Sequence, residues 1–209
     1  MNVKKFVLTG KCNLKCEACF NKNFMKNLKD ISLEEILFNV QPGDDVYLSG
    51  GEPMLYPLIA DLSKKLLDVP VEVVISTNGI IYRKISKGVQ MQVSLWTTDY
   101  HLYHKITKGT KKQLEKVKEN IPKYLQDGHT IFINMPIYEK NLNEINKVSD
   151  YANQLNIPLR VNPIYPANGF KVDNVMLNQI EDSVFKLKLL GRDIIYSKTK
   201  QKVQRHFCK

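Results

Sequence analysis

The sequence predicts an α/β fold, a parallel sheet whose strands are joined by helical crossovers. Three observations lead there. Short apolar runs, often rich in Val and Ile, recur along the chain. Stretches with apolar residues at helical spacing separate them. Glycine- and asparagine-containing turns follow several of the runs, where a parallel α/β fold places its chemistry. Six such β/α repeats fill about 165 residues of the 209, two repeats short of an eightfold barrel.

The elements follow in order. Lys5–Leu8 is the first strand candidate, and the segment after it carries Cys12, Cys16 and Cys19. Ser32 opens a helix as its N-cap, with Glu35 completing a capping box. Asp45–Ser49 is the second strand, followed by Ser49-Gly50-Gly51-Glu52-Pro53. Leu58–Leu67 has helical spacing. Val71–Ser76 is the third strand, closed by the turn Ser76-Thr77-Asn78-Gly79. Met91–Leu95 is the fourth and ends in Val93-Ser94-Leu95-Trp96. Thr110–Gln126 is a longer amphipathic helix, with Pro122 an internal weak point and Asp127-Gly128 its stop. Thr130–Ile137, a helix over Leu142–Leu155, and Leu159–Asn162 complete the six repeats. Pro163, Pro166 and Gly169 then mark an irregular stretch. A helix is expected from about Leu177 to Leu190, and Ile194–Lys209 is a lysine-rich end carrying Cys208. Residues 1–170 are expected to form the core, and 171–209 a C-terminal helix and tail of the same domain.

Composition sets the class. Hydrophobic residues make up 43% and charged residues 25%, ordinary for a globular protein with a substantial core. No apolar run approaches the ~20 residues that span a membrane, and the start has no secretory pattern. A cytoplasmic protein without a membrane partner is expected. The net charge is +10, but the lysines are scattered over helical segments as a solvated face, so a nucleic-acid partner is not expected.

The cysteines carry the chemistry. Cys12, Cys16 and Cys19 are spaced C-x3-C-x2-C, and the fourth cysteine lies far away at position 208. A structural zinc site wants four ligands, and a closed iron–sulfur cluster is normally held by four thiolates. Three thiolates on one loop leave one iron of a [4Fe–4S] cluster open to a small molecule. The alternatives are redox thiols, a chance grouping, or a zinc site completed by a distant histidine. The histidines are His101, His104, His129 and His206, none near the loop, and His101 and His104 read as surface or loop residues.

Taken together, the cysteine spacing, the Gly-Gly-Glu-Pro segment and the Ser-Thr-Asn-Gly turn resemble the radical S-adenosylmethionine (radical SAM) superfamily. Residues His104–Gly109, Gly128–Asn134, Asn143–Ile145 and Leu159–Gly169 resemble its MoaA-like and SPASM-type members. The resemblance covers residues 5 to about 170. It implies a partial, open (β/α)6 barrel, with Cys12, Cys16 and Cys19 holding the cluster and SAM chelating the open iron. It further implies that Gly50, Gly51, Glu52, Asn78, Ser94 and Asn134 help place SAM, the Gly-Gly-Glu-Pro segment meeting its amino group. Trp96 reads as packing at a strand end or as facing substrate. An electron donor such as flavodoxin or ferredoxin is implied. Two departures stand out. Ala18 sits where the superfamily usually has an aromatic residue, with Phe20 following the cysteine instead. The sequence stops at His206-Phe207-Cys208-Lys209, either a short enzyme with one cluster or a sequence truncated where the cysteine-rich extension of SPASM-type members would begin.

The resulting expectation is an enzyme that cleaves SAM reductively and abstracts hydrogen from a substrate. A peptide ranks first, because a partial barrel leaves a wide lateral opening. A small molecule or nucleotide is the alternative, and a glycyl-radical activase a third. A non-enzymatic metal-binding module is the rival from another class. It explains the cysteines but not the ordered strand-end motifs.

Overall fold

The computed structural model describes residues 2–19, 22, 24–164, 170 and 172–196. Seven strands form one parallel sheet in sequential order: β1 (Val3–Val7), β2 (Asp45–Ser49), β3 (Glu72–Thr77), β4 (Gln90–Ser94), β5 (Ile131–Ile137), β6 (Leu159–Pro163) and β7 (Ile194–Tyr196). Each strand pairs with the next, and no β1–β7 pairing closes the sheet among the described residues. This is an open, partial-barrel sheet, as the repeats predicted, with one strand more than the six expected. The Ile194–Tyr196 run lies where the sequence suggested only a tail. It pairs with β6 through Leu159–Ile194, Arg160–Ile195 and Val161–Tyr196.

The helices are α1 (Leu33–Phe38), α2 (Ile59–Leu67), α3 (Tyr100–Thr107), α4 (Lys111–Gln126), α5 (Ile145–Gln154) and α6 (Asn174–Leu189). Their apolar faces and one face of the sheet form the main core, which includes Leu48, Ile75, Met91, Val93, Ile133, Val161, Leu62, Val117, Val148 and Ile180. Burying each such side chain stabilises the fold by about 1.5–3 kcal/mol before entropy is counted.

The local signals explain the helix ends. The Ser32 hydroxyl accepts from the Glu35 N–H at 3.1 Å, the amide half of the expected box. Thr110 and Gln113 form a full capping box on α4. Pro122 does not break α4. It cannot donate to the Lys118 carbonyl one turn back, and the Tyr151 hydroxyl donates to that oxygen instead, at 3.3 Å. Asp173 caps α6 by accepting from the Met176 N–H, so the helix begins three residues before Leu177.

One helix was not anticipated. The structure places His101 and His104 on α3, both exposed, so they are surface residues as expected, though of a helix and not of a loop. Asp99 caps it, accepting from the Leu102 N–H at 2.8 Å. A helix of 8 residues is marginal by itself, so docking must hold it. Of the irregular stretch after β6, residues 165–169 lie outside the described residues, as do Phe20 and Cys208. No described helix is long and apolar enough to cross a membrane.

Candidate cluster and cofactor site

The cysteine loop leaves the carboxyl end of β1 and is fastened from several sides. The Lys15 and Glu17 N–H groups donate to the carbonyls of Thr107 (3.0 Å) and Ile106 (2.9 Å) at the end of α3. These carbonyls would otherwise be unpaired at a helix C-terminus. The Asn13 side chain accepts from Asn78 Nδ2 at 2.6 Å, which joins the loop to the turn after β3. Glu17, between the cysteines, receives the Tyr138 hydroxyl and both contacts of Lys140, at 2.8 and 2.9 Å. Burial works to raise the Glu17 pKa, but hydrogen bonds from Lys140 and Tyr138 and the nearby lysine charges bring it below the usual value. Replacing Glu17 with Ala should leave the fold intact but loosen the loop. Iron retention under a chelator should fall about tenfold, the equivalent of one lost charge-assisted hydrogen bond. Unaltered retention would show that the Glu17 contacts do not restrain the loop.

Ala18 packs with Trp96, Ile106 and Tyr138 in a small second cluster under the loop. The Trp96 and Tyr138 rings meet edge to face, with centroids 5.9 Å apart. Trp96 is therefore packing, the first of its two sequence-based readings.

The glycine pair after β2 answers to this loop. Gly51 and Glu52 donate their N–H groups to the carbonyls of Thr9 and Lys11, each at 2.8 Å. A Cβ on Gly51 would stand 2.3 Å from the Lys11 oxygen, and one on Gly50, at φ 148°, 2.7 Å from the Thr9 oxygen. Both contacts are with backbone, which cannot give way, so the close approach requires glycine at both positions.

Glu52 is fully buried. Its Oε1 accepts from the Met54 N–H (3.0 Å) and the Thr77 hydroxyl (2.6 Å), and its Oε2 from the Asn78 N–H (2.7 Å). Burial raises its pKa against the pull of these three donors. The carboxylate thus ties the end of β2 to the end of β3, and its oxygens are engaged inside the protein. Asn78 Oδ1 also accepts from the Ile80 N–H at 3.1 Å, shaping the turn.

Ser94 and Asn134 are register partners on β4 and β5, and Asn134 is the partner of Arg160 on β6. All three side chains therefore lie on one face of the sheet, and Asn78 follows directly after β3 on the same side. Asn134 accepts from Asn162 Nδ2. The Arg160 guanidinium stacks over Phe132 at 4.4 Å, and its Nε is buried without a hydrogen-bond partner. The sequence reading did not single out Arg160, although an arginine inside an apolar strand run was a visible signal. Glu17, a charged residue between two cysteines, was another. Asn13 and Tyr138 gave no comparable sign, and Thr77 stood out only as part of the turn after the third strand.

The thiols fit a cluster. Cys12 is exposed, and Cys16 and Cys19 are half-buried. Burial pushes the Cys16 thiol up to about 12, helped by the neighbouring Cys12 and Cys19, and burial likewise raises Cys12. Thiols that oppose one another's ionisation are suited to a bound cation, which reverses the effect. They do not converge as ligands of a single ion do. Three thiolates of a cluster each bind a different iron and need not converge.

Fold and site together define an open, partial α/β barrel with a loop of three cysteines at the carboxyl end of its parallel sheet. The chain belongs to the radical SAM superfamily, whose family model matches residues 6–152. A GTP 3',8-cyclase of Clostridium perfringens is 32% identical over 205 residues, covering 89% of this chain and 62% of that protein. A 7-carboxy-7-deazaguanine synthase of Rickettsia prowazekii is 29% identical, covering 74% and 71%. Among solved structures, Streptococcus suis SuiB bound to S-adenosylmethionine matches with a TM-score of 0.76 at 20% identity, over 93% of this chain and 49% of that one. The chain thus spans about 62% of the length of the cyclase. Its cofactors are those of the superfamily, a [4Fe–4S] cluster and SAM.

Proposed function

We propose that this radical SAM enzyme acts on a small molecule, with a nucleotide as the first candidate. The observation that carries this is the similarity, over 89% of the chain, to a protein named for its action on GTP. The 7-carboxy-7-deazaguanine synthase similarity also points to a small molecule. The sheet face agrees, because Arg160 adds a cation beside Ser94 and Asn134, and a nucleotide is an anion. These similarities support the alternative of a small molecule or nucleotide better than the peptide that the sequence reading ranked first. The likeness to SuiB, at 20% identity, concerns the fold alone.

In this reading Cys12, Cys16 and Cys19 hold the cluster. The Gly50-Gly51-Glu52 backbone meets the SAM amino group, while the Glu52 carboxylate fixes that backbone from behind. Asn78, Ser94 and Asn134 line the rest of the SAM site. Cluster and SAM supply a 5′-deoxyadenosyl radical. The protein orients one substrate C–H bond towards it and keeps water away. A small electron-transfer protein of the flavodoxin or ferredoxin class supplies the electron.

Reduced, cluster-loaded protein with SAM should release 5′-deoxyadenosine slowly when no substrate is present. With GTP deuterated on the ribose, deuterium should enter the 5′-deoxyadenosine. Label transfer from a peptide but from no nucleotide would overturn the substrate reading. Absence of both 5′-deoxyadenosine and methionine under strong anaerobic reduction would overturn the activity itself.

A further inference from the structure

Between Asp99 and Glu115 the chain carries Lys105, Lys108, Lys111 and Lys112 and no carboxylate. All four lysines are exposed. They occupy the end of α3, the turn after it and the start of α4.

The fold sets this stretch against the cysteine loop. The Lys15 and Glu17 N–H groups donate to the Thr107 and Ile106 carbonyls, at 3.0 and 2.9 Å. From the first turn of α4, Gln113 Nε2 donates to the Asn13 carbonyl at 3.4 Å. Between the two helices, a Cβ on Gly109 would stand 3.1 Å from Leu14 Cδ2. Each contact has lysine beside it in sequence: Lys105 before Ile106, Lys108 after Thr107, Lys111 and Lys112 before Gln113. Lys15 adds a fifth exposed cation from the loop itself, next to Cys16. Lys11 and Cys12 are exposed too, so the loop lies at the surface beside the lysines.

The carboxylates close by are engaged elsewhere. Glu17 is held by Lys140 at 2.8 and 2.9 Å, and Asp30 by Lys11 at 3.0 Å. Among the described residues, none of the five lysines forms an ion pair. Neither the loop nor the stretch from α3 to α4 presents an exposed large apolar side chain. Charge is therefore what this face offers a partner.

We propose that this lysine face is the place where an electron-transfer protein with an acidic surface docks to reduce the cluster. The inference rests on the assignment of Cys12, Cys16 and Cys19 as ligands, and it gives the electron donor named above a position on the molecule. Electron-transfer encounters are small, below about 1,200 Å², and opposite charge steers and orients them. In the docked pair the partner loses one electron and the cluster gains one, and no bond is made or broken. The five cations are all lysine, without the arginine fork that phosphate recognition favours, so an acidic protein fits them better than a nucleic acid.

The test uses Lys105→Glu/Lys112→Glu in the full chain, reconstituted anaerobically with iron and sulfide. Lys64→Glu/Lys65→Glu, exposed on α2, is the control. The probes are an acidic flavodoxin and an acidic [2Fe–2S] ferredoxin. In titration calorimetry at low salt, one or both should bind wild type, and the variant should bind about tenfold more weakly. At about 1 M salt, where charges are screened beyond about 3 Å, the difference should vanish. Release of 5′-deoxyadenosine driven by the reduced probe should fall by a similar factor. Release driven by dithionite, which needs no docking, should match wild type. Lys105→Gln/Lys112→Gln, which removes charge without reversing it, should fall between and guards against a misfolded variant. Equal affinity in variant and wild type, or an equal loss in the α2 control, would overturn the proposal. So would binding of neither probe, or an RNA oligonucleotide that binds more tightly than both and is lost in the variant. Wild-type protein that binds no iron would instead overturn the ligand assignment.

Discussion

Replacing Cys12, Cys16 and Cys19 together with Ala should remove the cluster and abolish reductive cleavage of SAM. A methyl group cannot ligate iron, and the described residues offer no substitute thiol near the loop. The loop itself should survive in outline. Its fastenings to α3, Asn78 and Lys140 use the backbone and the side chains of Asn13 and Glu17, none of them a cysteine. The triple variant should therefore fold, remain colourless and yield no 5′-deoxyadenosine. Cys208→Ala should keep full iron and serve as the control. Four irons per chain in the triple variant would refute the ligand assignment.

Glu52→Ala is expected to have the next largest effect, on stability and on SAM affinity together. It leaves the Met54 N–H, the Thr77 hydroxyl and the Asn78 N–H without their acceptor in a fully buried place. Each donor left unpaired costs about 1–3 kcal/mol. At about 2–4 °C per kcal/mol for a chain of this size, the melting temperature should drop clearly. SAM affinity should fall about tenfold or more, because the ends of β2 and β3 lose their common anchor. Thr77→Val removes one donor of the three and should show a smaller loss of both. If Thr77→Val, folded and cluster-loaded, binds SAM as wild type does, and Glu52→Ala does too, the carboxylate has no part in shaping the cofactor site.

The two effects also separate what could be read early from what could not. The resemblance implies that Gly50 and Gly51 help place SAM. The structure shows the nearest approach to be to the cysteine loop, at the Thr9 and Lys11 carbonyls. Glu52 drew attention as a possible ligand contact. Its neighbours, Thr77 and Asn78, are 25 and 26 residues away and come into reach only when β2 and β3 pair. The same applies to Glu17, whose partner Tyr138 lies 121 residues on.

Two elements escaped the sequence for reasons of size. The eight residues of α3 carry few apolar positions, Tyr103 and Ile106 among them, too few for a periodic signal. They form a helix because Asp99 caps the start and the cysteine loop satisfies the last carbonyls. The three residues of β7 are shorter than any recognisable strand pattern and exist because β6 offers an unpaired edge.

By itself the sequence determined the parallel α/β class, the three-cysteine loop and the strand-end turns. Each of these is encoded in adjacent residues, through hydrophobic period, ligand spacing and turn chemistry. Tertiary structure alone decided which distant side chains close on the loop: Asn78 on Asn13, and Tyr138 and Lys140 on Glu17. It also decided that Ser94, Asn134 and Arg160 share one face. The physical reason is that such contacts depend on strand register and on the rotation of each helix against the sheet. A shift of one residue in register turns every side chain of a strand to the opposite face, and no short run of residues fixes that choice.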